Sequence, residues 1–434
     1  MTPTNGRSGA DRGRRRGLLT ARIGAAVTAA ILLPIFAAGP AEAQNRTKFP
    51  LPSLTIPDSL GVSTHYGAPP PGVIERIRGA GFRWIRADIT WSDRERKRGG
   101  YEFAGQDLLL DALDANRMRA MMVLAYGNDL YQKDSPSTDE ARAAFVRFAM
   151  TAIMRYRDRG VLWEMWNEPN NNWSPRQSAK AYSALSNALG RAIRQSAPEE
   201  WFVGPALCGT DWDDVKFLTD CFKQGVLQYW DAVTVHPYGH KDPESAAGSL
   251  RWIRRQIERY APAGRKIPII VGEWGFPTCA GDVTPDVQAA YAARMALVGL
   301  MNEVGLTVWY EWVDGGSDPK NRENHFGVLL PTGAPKPAYY ALRTLAEALD
   351  GFRFVKRLDL GSPDDYCLLF SGGSGERMAA WTRSKPHRVA IAQAAGAFDV
   401  MEDAGNSFRA EAGSSGLVLE LTAHPVYLIP AAGR

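Results

Sequence analysis

Four cysteines in 434 residues leave little material for a disulfide framework, and they form no C-x-x-C pair. Cys208, Cys221, Cys279 and Cys367 allow three full pairings, among which sequence does not choose. Bridges and buried free thiols both fit; zinc and a cysteine nucleophile are not indicated. Histidine is scarce, six in all, and no His-rich cluster offers a metal. A glycine-rich phosphate loop after an early strand is missing, since Gly79-x-Gly81 precedes a strand instead, which argues against a doubly wound dinucleotide-binding sheet. Charge of one sign is lacking beyond the first 43 residues. Six arginines and two acids sit in that leader, leaving 45 basic and 45 acidic residues elsewhere. The rest of the chain therefore holds no global attraction for polyanions, and a nucleic-acid partner is excluded as the default reading.

The leader has three parts. A basic region ends at Arg14-Arg15-Arg16, an apolar run goes from Ile23 to about Ala38, and Ala41-Glu42-Ala43 offers a small-x-small cleavage site. This order predicts a signal peptide over 1–43, and the apolar run is short for a membrane span. Arg15-Arg16-Gly17-Leu18-Leu19 resembles a twin-arginine signal. The expectation is a secreted or periplasmic protein without stable membrane insertion after cleavage; an uncleaved N-terminal anchor is the alternative. Residues 44–57, with Pro50, Pro52 and Pro57, read as a linker or arm.

Strand-like and helix-like stretches then alternate. Strands are expected at 60–65, 82–88, 120–126, 161–167, 201–205, 232–236, 267–273 and 306–312, each followed by a helical pattern. Eight such units over 58–350 predict an α/β chain closed into a (β/α)8 TIM barrel. From Gly351 the pattern changes to short strand-like runs separated by Gly, Ser, Pro and Asp, which predicts a small β-sandwich over 351–434.

In a parallel barrel, chemistry gathers where strands end at the C-terminal face. Predicted strand ends carry His65, Arg86, Asp88, Tyr126, Asn167, Glu168, His236, Tyr238, Glu273, Glu311 and Trp312. Two carboxylates stand out. Glu168 lies in Trp166-Asn167-Glu168-Pro169, where proline stops the strand. Glu273 lies in Gly272-Glu273-Trp274-Gly275. Glycoside hydrolysis uses such a pair: a proton donor, and an ionised group that attacks the sugar carbon or activates water. Glu164 shares strand parity with Glu168 but lies deeper, and reads as structural. Arg86 has two candidate partners, Glu273 and Glu164. Large aromatics are as often core as sugar platforms, so Trp166, Trp173, Trp274 and Trp312 are open between the two.

Those motifs, with Val235-His236-Pro237-Tyr238 and Trp309-Tyr310-Glu311-Trp312, fall in order at the ends of strands four, six, seven and eight. In this the chain resembles clan A of the glycoside hydrolases, with echoes of families 39 and 5. The resemblance implies a retaining double displacement without cofactor or metal on a β-linked poly- or oligosaccharide. It implies Glu168 as acid/base, Glu273 as nucleophile, Asn167 as the 2-OH ligand, Tyr238 as a hydrogen-bond donor to the nucleophile and Arg86 as its cation. His236 matches a rim residue near substrate, and Trp312 a platform under the central sugar; His65 and Trp274 are further candidate contacts. A transglycosylase with the same residues, or a non-catalytic sugar-binding barrel, are the rival readings. Sequence sets neither the sugar nor an oligomeric state.

Overall fold

The computed structural model describes residues 48–171, 176–392 and 394–431. The leader and Trp173 lie outside the described residues. Eight parallel strands close into a barrel in sequence order: β1 Leu60–Ser63, β2 Trp84–Thr90, β3 Arg119–Ala125, β4 Leu162–Met165, β5 Trp201–Cys208, β6 Ala232–His236, β7 Ile269–Trp274 and β8 Val304–Trp309. The main intervening helices are α1 Val73–Gly79, α2 Ala104–Ala115, α3 Asp139–Arg155, α4 Ala179–Ser196, α5 Trp212–Lys223, α6 Ala247–Tyr260 and α7 Pro285–Met301, with a single turn at Trp91–Arg94 and with α8 Pro337–Ala348 after β8. Helix starts follow capping chemistry. Thr138, Ser178 and Thr284 accept a backbone N–H at α3, α4 and α7, and Asp211 with Asp214 forms a capping box at α5.

Strand alternation sorts the side chains. Trp84, Met121, Leu162, Val203, Ala232, Ile270, Leu306 and Val308 fill the lower barrel interior, while alternate residues such as Ile85, Met122, Trp163, Ile269 and Val271 meet the helices. Burial on both faces explains the near-continuous apolar runs. The stretch read as a linker packs against the barrel over 51–57, while Lys48 and Pro50 are exposed. The carbonyls of Phe49 and Pro50 accept from Trp201 Nε1 (2.7 Å) and Arg119 Nη1 (2.6 Å), and Ile56 is fully buried. Apolar Leu51 lies against the interior layer, so this segment stoppers the barrel's N-terminal end.

Two departures from strict alternation matter for the site. Along β7, Val271 pairs with Thr307 and Trp274 with Trp309, so three steps oppose two. The extra residue is a bulge, which re-aims a side chain. It turns Glu273 inward and Trp274 outward. Along β5 a similar shift between Gly204 and Leu207 lets the strand run past Pro205 to Cys208, which pairs with His236. The expected end of strand five at Pro205 is thus three residues short, because proline is tolerated at a bulge.

The C-terminal region consists of β9 Arg353–Leu358, β10 Asp365–Gly372, β11 Gly375–Thr382, β12 His387–Ile391, β13 Ala397–Glu402, β14 Ser407–Glu411, β15 Leu417–Leu421 and β16 Val426–Pro430. Six strands form one sheet in the order β14-β13-β16-β11-β10-β9, and β12 pairs with β15, which fits the expected sandwich. Strands β13 and β14 were not expected from sequence, since their short, mixed-polarity runs give little alternation. One face, with Cys367, Met378, Val400 and Leu428, packs onto the small sheet. The other, with Tyr366, Leu368, Phe370 and Trp381, joins the barrel's core. A buried ionic cluster ties the two together. Arg294 of α7 grips Glu244 through both carboxylate oxygens, and Trp381 Nε1 donates to the same carboxylate at 2.8 Å. Arg383 pairs with Asp242 at 2.7 Å. All four cysteines are free thiols.

Candidate active site

A cavity of about 570 Å³ opens at the C-terminal ends of the strands, lined among others by His65, Arg86, Asp88, Tyr126, Asn167, Glu168, Tyr238 and Glu273. Its floor is organised by Arg86, which is 5% exposed. The guanidinium reaches three acceptors: Glu164 Oε2 at 2.7 Å, Glu273 Oε2 at 3.0 Å and Asn167 Oδ1 at 2.7 Å. Both partners weighed for Arg86 are therefore real. Burial disfavours its charge, but Glu164 and Glu273 outweigh that and hold it firmly protonated.

Glu273 accepts on both oxygens, from Arg86 and from the Tyr238 hydroxyl at 3.0 Å. Burial nevertheless raises its pKa above the ordinary glutamate value; His236, Arg86 and Tyr238 act against that rise and the Glu168 charge adds to it. Gly272 precedes Glu273 because a Cβ there would approach Glu164 Oε1 to 3.1 Å and His236 Nε2 to 3.3 Å.

Glu168 stands on the opposite wall, 7% exposed. Trp166 (φ 68°) and Glu168 (φ 49°) are left-handed, a conformation costing a non-glycine residue roughly 1–2 kcal/mol. Hydrogen bonds from Trp166 N to Leu124 O and from Glu168 N to Ala206 O (both 3.0 Å) hold it, and strain of this kind concentrates at functional sites. His236 Nδ1 lies 2.9 Å from Glu168 Oε1, and Asn171 Nδ2 donates to Oε2 at 2.8 Å. One oxygen of Glu168, one of Glu273 and a His236 nitrogen all lie within 4.8 Å of one another. Such a trio has ligand atoms for a cation, but Arg86 already supplies the positive charge on Glu273.

The remaining expectations divide. Asn167 sits between Arg86 and the Tyr126 hydroxyl. His65 is 64% exposed in its side chain, and its Nε2 lies 3.1 Å from Glu311 Oε2. That bond is the main reason its pKa is raised. Three placements correct the sequence reading. His236 is wholly buried and outside the cavity lining, so it backs Glu168 instead of facing a sugar. Trp274 is 1% exposed and packs on Phe276, because the bulge points it at the helices. Trp312 is 2% exposed and packs against Phe82 and Tyr339, because β8 ends at Trp309 and the chain has left the strand. Tyr310 and Phe326 are the aromatic walls instead, with Asn171, Cys208, Arg322 and Glu323 around them. Tyr310 was detectable: it shares parity with Leu306 and Val308 of the barrel interior.

A barrel with two carboxylates facing each other across the strand ends fits a glycoside hydrolase of clan A. The comparisons agree. The model of the cellulase family, glycosyl hydrolase family 5, matches residues 50–315, and the chain belongs to that family and is an O-glycosyl hydrolase. Among solved structures, a family 39 glycoside hydrolase from the gut symbiont Bacteroides cellulosilyticus WH2 is 21% identical, with TM-score 0.77, over 88% of this chain and 81% of that one. A GH30 endoxylanase from Clostridium papyrosolvens C71 is 12% identical, with TM-score 0.62, over 88% and 98%. A glucosidase from Croceicoccus marinus is 14% identical, with TM-score 0.60, over 88% and 97%. At these identities the likeness speaks to the fold. No curated protein matches in sequence.

Proposed function

We propose that the protein is an exported, retaining hydrolase of β-linked poly- or oligosaccharides. The observation that carries the reading is the carboxylate pair, whose nearest oxygens lie within 4.8 Å across the cavity. Retaining enzymes hold their carboxyls about 5 Å apart, inverting ones about 6.5–9.5 Å. Glu273, ionised beside Arg86 and Tyr238, attacks the anomeric carbon while Glu168 protonates the leaving oxygen. Glu168 then deprotonates the water that releases the sugar. Asn167, held by Arg86, is placed to meet the 2-OH. Tyr310 and Phe326 supply apolar walls for sugar C–H faces.

The charge balance of the cavity supports a neutral glycan. Asp88, Glu168, Glu273 and Glu323 line it, while Arg86 is committed to buried acids and Arg322 lies 3.3 Å from Asp282. The basic, apolar and small-x-small order of residues 1–43 supports export. Among the described residues no helix is long and apolar enough to cross a membrane. The test is a panel of β-glucans, xylans, mannans and exopolysaccharides, read by reducing-end release and by NMR of the first-formed anomer. A β-anomer released from a β-linked chain supports the reading; an α-anomer, or no cleavage of any β-linked glycan, overturns it.

A further inference from the structure

Glu168 has a third neighbour group that the reaction scheme above leaves unused. The turn Glu168-Pro169-Asn170-Asn171 closes on itself through Asn171 N to Glu168 O at 3.0 Å. Asn170 bolts this turn to the end of β5, since its Oδ1 accepts from Cys208 N (2.9 Å) and its Nδ2 donates to Cys208 O (2.8 Å). The same Nδ2 reaches Asp214 Oδ1 at 2.8 Å. Two side chains are thereby aimed at one carboxylate. Asn171 Nδ2 lies 2.8 Å from Glu168 Oε2 and 3.1 Å from Cys208 Sγ. The Cys208 thiol is itself hydrogen-bonded to Glu168, and burial together with that carboxylate pushes its pKa well up, keeping it a protonated donor.

We propose that Asn171 and Cys208 are positioning residues of the acid/base: they hold the Glu168 carboxylate as a hydrogen-bond acceptor, Asn171 through Oε2, and favour its ionised form. Donors to a carboxylate stabilise the anion. The other groups facing Glu168 are His236 from β6, Glu273 from β7, Tyr238 beyond β6 and Glu323 from the loop after β8. Glu273 and Glu323, when ionised, oppose the negative charge that the second chemical step requires. Asn171 and Cys208 offset that repulsion with neutral donors, so the group can give up its proton in one step and regain it in the next. A fixed cation in their place would hold it ionised throughout. The bonds are independent of catalysis, but their purpose rests on the proposed function.

The test separates the two. In protein labelled at glutamate Cδ, the Glu168 resonance is identified by its loss in Glu168→Gln and titrated by NMR without substrate. Asn171→Ala is expected to raise the Glu168 pKa by about one unit, the size of one charge-assisted hydrogen bond. Cys208→Ala is expected to raise it less, and Cys208→Ser, which keeps a donor, to restore it. A Glu168 titration within 0.3 unit of wild type in Asn171→Ala overturns the proposal. With the 4-nitrophenyl β-glycoside cleaved fastest among those of glucose, xylose, mannose and galactose, the alkaline limb of kcat/KM should rise in step. A uniform loss across pH without movement of that limb contradicts it. An NMR shift in a protein that cleaves no β-glycoside leaves the clamp standing and removes the hydrolase reading.

Discussion

The two walls of the cavity hold their carboxylates by different means. Glu273 sits on a strand, bent inward by a bulge, and takes a guanidinium and a phenol as partners. Glu168 sits past the end of its strand on a left-handed backbone, facing an imidazole, an amide and a thiol. The guanidinium beside Glu273 favours its ionised form against the burial that opposes it. The amide and thiol beside Glu168 are neutral donors, which favour the anion less strongly. The asymmetry fits the roles proposed above, a nucleophile at Glu273 and an acid/base at Glu168.

Breaking the nucleophile's wall should have the largest effect. Glu273→Gln is expected to lower kcat by about 10⁴-fold or more with the fold intact, checked by turnover and circular dichroism. Glu168→Gln should follow, with a loss of about 10²–10⁴-fold on natural glycans. The loss should be smaller for formation of the glycosyl-enzyme from a dinitrophenyl glycoside, whose leaving group needs no proton. Equal losses on both substrates would remove the distinction between the walls. Tyr238→Phe sharpens it more gently. Losing a donor to the Glu273 anion should raise the acidic limb of kcat/KM, in the same direction in which burial moves that group.

A control away from the cavity is His424, which joins Asp403 to Asp286 of α7 and has its pKa raised to about 9 by those contacts. Its stabilising contribution is fully present below the free histidine value of about 6.5 and is lost as pH rises through 9. His424→Gln should therefore lower Tm at pH 6 and leave it unchanged at pH 10, with kcat unaffected at either.

The barrel was legible because buried parallel strands leave continuous apolar runs and helices leave a 3.6-residue period. That Glu168, Glu273, Asn167, Arg86 and Tyr238 would meet at one cavity was legible, because strand ends at one face of a barrel converge there. What failed was local backbone geometry. Trp274 and Trp312 were candidate sugar contacts left open between platform and core, and a bulge and an early strand end turn both into the core. Gly272 was the available warning, since glycine inside a strand marks a bulge or a close approach. Cys208 and Asn171 escaped for a related reason. Pro205 suggested that strand five had ended, and the asparagines after Pro169 read as plain loop, although Asn170 bonds to Cys208 and Asn171 to Glu168.

The most direct measurement is covalent trapping. The protein is incubated with the 2,4-dinitrophenyl 2-deoxy-2-fluoro-β-glycoside of the sugar it cleaves, digested, and mapped by mass spectrometry. The account predicts one glycosyl adduct, on Glu273, with activity lost in proportion to labelling. An adduct on Glu168, or full inactivation with the label on any other residue, would contradict it.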